Sequence, residues 1–212
     1  MLRCSQLLCS ELLRNNNAAL HTLNVTQSIR NLDHWKAICA ALHRNTSLHI
    51  LDDMCNNPHV PPCGPAAKAL DDLLRRNKHL CPLDIDRNTH MQIGPRSLQT
   101  NQSLCHLDVS GTELGDTGFA QLCTIFETNT TLCRLFVCGN ELTTLEPLAK
   151  VLHSNPNSGL TPLCAHGNQR GDAGGVQMAA YPVEHPCAPC IWITSVWVRQ
   201  ESPFCWPIHR FL

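Results

Sequence analysis

A chain of 212 residues is long enough to bury a sizeable core in one or two domains. Its 16 Lys and Arg against 17 Asp and Glu leave a formal net charge of -1. With no basic run or acidic tail, the electrostatic footprint of nucleic-acid or anionic-membrane binding is missing.

Residues 1–14 carry charges on both sides of a short apolar stretch and no small-residue cleavage site, so they do not form a secretory leader by pattern. The 14 Cys are therefore expected to be reduced, partly buried and cytoplasmic. The longest apolar run, residues 191–198, falls far short of the ~20 residues a spanning helix needs.

From residue 20 onward the sequence repeats itself. Leu23, Leu51, Leu83, Leu107, Leu135 and Leu163 are anchors separated by 28, 32, 24, 28 and 28 residues, so that one insertion and one deletion cancel. Three residues before each anchor stands another leucine: Leu20, Leu48, Leu80, Leu104, Leu132 and Leu160. Two residues after it come Val25, Asp53, Ile85, Val109, Val137 and Ala165, apolar in five of the six copies. Alternation of apolar and polar residues across the anchor is the period-2 signature of a short strand with one buried face.

Five residues past the anchors stand Ser28, Asn56, Asn88, Thr112, Asn140 and Asn168, short polar side chains suited to the turn that leaves a strand. Helix spacing follows. Trp35, Ile38, Cys39 and Leu42 recur at i, i+3, i+4 and i+7, as do Phe119, Leu122, Cys123 and Phe126, and Leu145, Leu148, Ala149 and Leu152. Asp116 is the expected N-cap of its own helix. Asn45, Asn77, Asn101 and Asn129 are expected to close the helices.

One strand and one helix cannot bury a core, but stacked copies can. The expected fold class is α/β: a solenoid of parallel strands on one side and helices on the other, over residues 1–175, with an irregular tail at 176–212. Pro82 and Pro162 fall in strand segments, where each removes a ladder donor. The Pro-rich residues 56–65 replace one tidy turn.

At these residues the chain resembles leucine-rich repeats of the ribonuclease-inhibitor subclass, found also in the repeat arms of NOD-like receptors. The clearest copies are NQSLCHLDVSGTELGDTGFAQLCTIFETN at 101–129 and NTTLCRLFVCGNELTTLEPLAKVLHSN from Asn129. The resemblance covers roughly residues 20–175. It implies a right-handed horseshoe arc with a concave parallel sheet and convex helices. It implies also a non-enzymatic binding scaffold or regulator, with GTPase activation or innate-immune regulation as the alternative. The chain starts within a repeat without a cap, as a fragment or truncated product would.

Strand alternation then places Thr22, Asn24 and Thr26, Ile50, Asp52 and Met54, Asp84 and Asp86, His106, Asp108 and Ser110, and Arg134 and Phe136 on the face opposite the anchors. Asp52, Asp84 and Asp108 occupy one row, with neighbours about 5 Å apart. Carboxyls so placed either attract a basic partner or raise one another's pKa, unless the row is merely solvated. Arg134 and Phe136 are of the types that anchor interfaces. The expected partner is another protein, with a basic surface where the carboxyl row is charged, met by a monomer, with no cofactor.

Other chemistry is thinner. In the tail, Cys187, Cys190, Cys205 and His209 form a ligand set zinc accepts, though the apolar run between them is unlike a zinc module. Cys81, Cys105 and Cys133 recur at one repeat position, which points to packing. Phosphate loops and nucleophile elbows are absent from the sequence. Sequons at Asn24, Asn45, Asn101 and Asn129 follow mostly from the repeat itself. After about residue 175 periodicity is lost, and the Pro-rich tail holds three of the four Trp; alternative splicing or intron read-through yields such a terminus.

Overall fold

The computed structural model describes residues 11, 13–15, 19–29, 31–52, 64–88, 93–155, 158–160, 163–168 and 191–192. Every anchor leucine lies in a short strand: β1 (Thr22–Asn24), β2 (Ile50–Asp52), β3 (Pro82–Asp84), β4 (His106–Asp108), β5 (Arg134–Phe136) and β6 (Leu163–Cys164). Helices alternate with them: α1 (Leu32–Leu42), α2 (Gly64–Arg76), α3 (Pro95–Thr100), α4 (Gly115–Cys123) and α5 (Glu146–Ser154), with α4 tightening into a 3-10 turn at Thr124–Glu127. All strands join one parallel sheet in chain order, and β7 (Ile191–Trp192) adds to it beside β6. Parallel neighbours need a crossover, and each helix is that crossover. The result is a leucine-rich-repeat-like α/β solenoid.

The six anchors pair one with the next across the whole sheet. The uneven steps of 32 and 24 residues are absorbed outside the strands: α2 runs 13 residues and α3 only 6. Inside, the anchors Leu51, Leu83, Leu107 and Leu135 are fully buried, and so are Leu48, Leu80, Leu104 and Leu132 beside them. The expected helix faces close over these rows: Trp35, Ile38, Cys39 and Leu42 from α1, Phe119, Leu122 and Cys123 from α4, and Leu148, Ala149 and Leu152 from α5.

Two asparagine series hold one repeat to the next. Asn77, Asn101 and Asn129 each send Nδ2 to a carbonyl of the preceding helix, those of Leu42, Leu74 and Leu98, at 2.8, 2.7 and 2.7 Å. Their Oδ1 atoms accept the backbone N–H groups of Leu80, Leu104 and Leu132, which lead into the next strand. These are carbonyls a helix end otherwise leaves orphaned. In the second series Asn140 accepts from the backbone of Thr112 and Leu114 and donates to Val109 C=O, while Asn168 does the same for Asn140, Leu142 and Val137 one repeat on. Between strand and turn the chain takes a left-handed residue four past the anchor: Gln27, Arg87, Gly111, Gly139 and Gly167 all have φ between 52 and 68°. Glycine suits that position because it has no Cβ to clash.

Asp116 differs from expectation. It lies within the first turn of α4 without capping it, and its carboxylate accepts from Thr143 N–H, Thr143 Oγ1 and Thr144 N–H ahead of α5. Asp71 of α2 does likewise for α3, accepting from Gly94 N–H and Ser97 Oγ. Acids on one helix thus hold the segment that leads into the next.

Pro82 costs the ladder little. The equivalent N–H groups of Ile50, His106 and Arg134 only share a carbonyl that the preceding residue already uses, and Cys81 N–H still reaches His49 C=O at 2.9 Å. Pro162, Asp53, Met54 and Asn56 lie outside the described residues, as do Cys187, Cys190, Cys205 and His209.

The expectation of wholly reduced cysteines is corrected at one pair. Cys81 and Cys105 form a disulfide with Cα atoms 5.2 Å apart. Equivalent positions on adjacent strands fall within the span a disulfide bridges. Cys133 keeps the third place in the row, its Sγ 3.2 Å from Cys105 C=O.

Candidate protein-binding face

The sheet face opposite the leucines is built from two register rows. One pairs Thr22 with Ile50, and Pro82 with His106 and Arg134, at the position before each anchor. The other runs through Asn24, Asp52, Asp84, Asp108, Phe136 and Cys164. Asp52, Asp84 and Asp108 therefore share a row, as strand alternation requires. Beyond them Thr26, Asp86 and Ser110 hold the equivalent place at the strand exits, where Asn24, Asp84 and Asp108 accept their backbone N–H groups at 2.8–3.0 Å. The repeated Asx turn is a local reason for Asn or Asp in this row.

Exposure divides the row. Asp52 and Asp84 retain only 4% and 2% of their surface, which a merely solvated row does not. Asp52 accepts from Asn24 Nδ2 at 2.8 Å and from Thr26 Oγ1 at 3.0 Å. Burial, with Asp108, Asp52 and Asp86 nearby, pushes the Asp84 carboxyl up to about 8, against the favourable N–H of Asp86. Asp84 therefore holds its proton at neutral pH, and the row does not present three adjacent negative charges. Burial raises Asp86 too, opposed by Arg87, whose Nε lies 3.6 Å away.

Thr22, Ile50, Pro82, Asp86 and Cys164 of this face are half-buried too, and on β4 and β5 one such patch gathers His106, Asp108 and Ser110 with Arg134 and Phe136. Burial first, and then the Arg134 guanidinium, hold the His106 imidazole below its usual range, so the pair presents one cation rather than two. Asp108 pairs directly with Phe136, setting a carboxylate beside an aromatic ring on adjacent strands. Ser110 Oγ accepts Cys138 N–H at 3.2 Å, tying the rim of this patch to the next repeat.

No helix of the described residues is long and apolar enough to cross a membrane. No family model matches the sequence, and no curated protein does. Among solved structures the chain is similar to a tropomodulin C-terminal domain of Caenorhabditis elegans, at 14% identity and a TM-score of 0.56 over 71% of this chain and 93% of that one. It is also similar to the actin-binding site 2 of leiomodin-1, at 20% identity and a TM-score of 0.45 over 82% and 84% of the two chains. A third is internalin C2 of Listeria monocytogenes, at 19% identity and a TM-score of 0.43 over 76% and 67%. At 14% identity the tropomodulin likeness speaks for the fold alone.

Proposed function

We propose that this chain is a non-enzymatic protein-binding scaffold that works as a monomer. Its repeats are of the ribonuclease-inhibitor type, curved as a right-handed arc with the sheet on the concave wall. The observation that supports this reading is the patch on β4 and β5. There Arg134 and Phe136, half-buried, stand in register with His106 and Asp108 on a continuous parallel sheet. Interfaces concentrate their binding energy in residues of these two types. The partner is a protein that places a basic side chain against Asp108 and over the Phe136 ring.

The test uses the full chain as bait and quantifies each captured protein against two variants. Phe136→Ala is expected to weaken the true partner by roughly tenfold, about 1.4 kcal/mol, and Asp108→Lys to weaken it further. Arg96→Glu, on the exposed side of α3, is the control and leaves binding unchanged. A partner held equally by all three proteins is bound elsewhere, and the strand-face reading then fails.

A further inference from the structure

We propose that Cys138, Cys164 and His166 form a binding site for a borderline-soft divalent cation of the zinc class. Cys138 and His166 hold the same place in successive repeats, three residues past Leu135 and Leu163, and Cys164 ends β6. Their donor atoms converge: Cys138 Sγ lies 3.2 Å from Cys164 Sγ and 3.4 Å from His166 Nδ1, and Cys164 Sγ lies 3.1 Å from the same nitrogen. All the ligand atoms fall within 4.8 Å of one another.

Two thiolates and an imidazole are a donor set that zinc takes at about 2.3 Å from sulfur and about 2.0–2.1 Å from nitrogen. In a tetrahedron those lengths set the donors roughly 3.5–3.8 Å apart, so these three need spread only a few tenths of an ångström. Their backbones are fixed beforehand. Val137 N–H donates to Cys164 C=O at 2.8 Å, and Gly139 N–H to His166 C=O at 3.0 Å, flanking Cys138 on both sides. Asn168 locks the same turn from below through Asn140 and Leu142. A site carried on strands and a locked turn loses little freedom when the ion enters. Binding releases the protons of both thiols, because the ligands are thiolates. Three protein donors leave the fourth tetrahedral position for a further ligand. The inference does not depend on the proposed partner.

A Cys138–Cys164 disulfide is the rival outcome. Unlike Cys81 and Cys105, bonded at 2.01 Å, these two sulfurs lie beyond bonding distance. The test titrates cobalt(II) into the full chain, metal-free and under a reductant. One equivalent is expected to produce a thiolate-to-cobalt charge-transfer band that zinc then abolishes. A chain carrying Cys187→Ser, Cys190→Ser and Cys205→Ser keeps the band, whereas Cys138→Ser with Cys164→Ser loses it. His166→Gln, which spares both sulfurs, weakens cobalt binding while circular dichroism shows the fold intact. The proposal is overturned by the absence of the band in the full chain, its survival in the Cys138/Cys164 variant, or its loss in the tail variant. A Cys138–Cys164 disulfide that persists under reductant overturns it as well.

Discussion

Asp84 carries the clearest consequence of burial in a charged row. Its folded pKa stands near 8, while an unfolded chain returns it to the ordinary carboxylate value near 3.8. The folded state thus binds the extra proton between those values, so its contribution is fully present below about pH 4 and is lost as pH rises through 8. Asp84→Asn removes the ionisable group and keeps an oxygen for Asp86 N–H, as Asn24 already does for Thr26. The variant is expected to flatten the fall in stability between pH 5 and 8. At pH 8 it should exceed the parent by on the order of 1–3 kcal/mol, read from urea unfolding at both values. A parallel shift of the two curves would assign the pH dependence to other groups. The shared row was legible from period-2 alternation alone. That Asp52 and Asp84 are buried was not, because Asn24 and Thr26 close over Asp52 while Asp84 lies between Asp52 and Asp108 on its neighbouring strands, and strand spacing says nothing of that.

Between elements, the asparagines do what local capping rules assign to neighbours in sequence. Asn101 is almost fully buried and satisfies Leu74 and Asn77 carbonyls behind it and Ser103 and Leu104 N–H groups ahead. Asn101→Ala leaves four backbone groups, three of them buried, without these partners, and each buried group costs about 1–3 kcal/mol where water cannot enter. The expected loss is at least about 3 kcal/mol in chemical unfolding, and a loss under 1 would show that water replaces the side chain. The same geometry decides the sequons. Asn45, Asn101 and Asn129 are buried with Nδ2 already donated, so a glycan there is incompatible with the packed repeat, whereas Asn24 is exposed. Helix closure by asparagine was readable because the residue recurs in phase. The hold of Asp116 on the segment ahead of α5, and of Asp71 on the start of α3, was not, since each acid serves the next repeat. The Cys138–Cys164–His166 cluster escaped for a related reason. Ligand spacings within one loop are visible in sequence, but 26 residues separate the two cysteines and only the strand register unites them.

At the scale of the whole chain, stability runs through contacts between successive repeats, so the position of a substitution along the stack decides what it disrupts. Leu107 is fully buried and pairs with Leu83 on one side and Leu135 on the other. Leu23 is half-buried and pairs only with Leu51 in the described sheet. Truncating Leu107 opens a cavity that both neighbouring interfaces share, and Leu→Ala in such a core costs about 2–5 kcal/mol. Truncating Leu23 removes less buried surface from one interface, a cost of about 1 kcal/mol. Their hydrogen-exchange patterns should differ more than their totals. Leu107→Ala is expected to speed amide exchange in β3, β4 and β5 together and to lower the cooperativity of urea unfolding, because the stack then parts in the middle. With Leu23→Ala, faster exchange stays within β1 and β2, and the slope of the unfolding curve is kept. If both variants accelerated exchange uniformly, the chain would be one indivisible core, and nearest-neighbour coupling would be the wrong description of what the leucine ladder does.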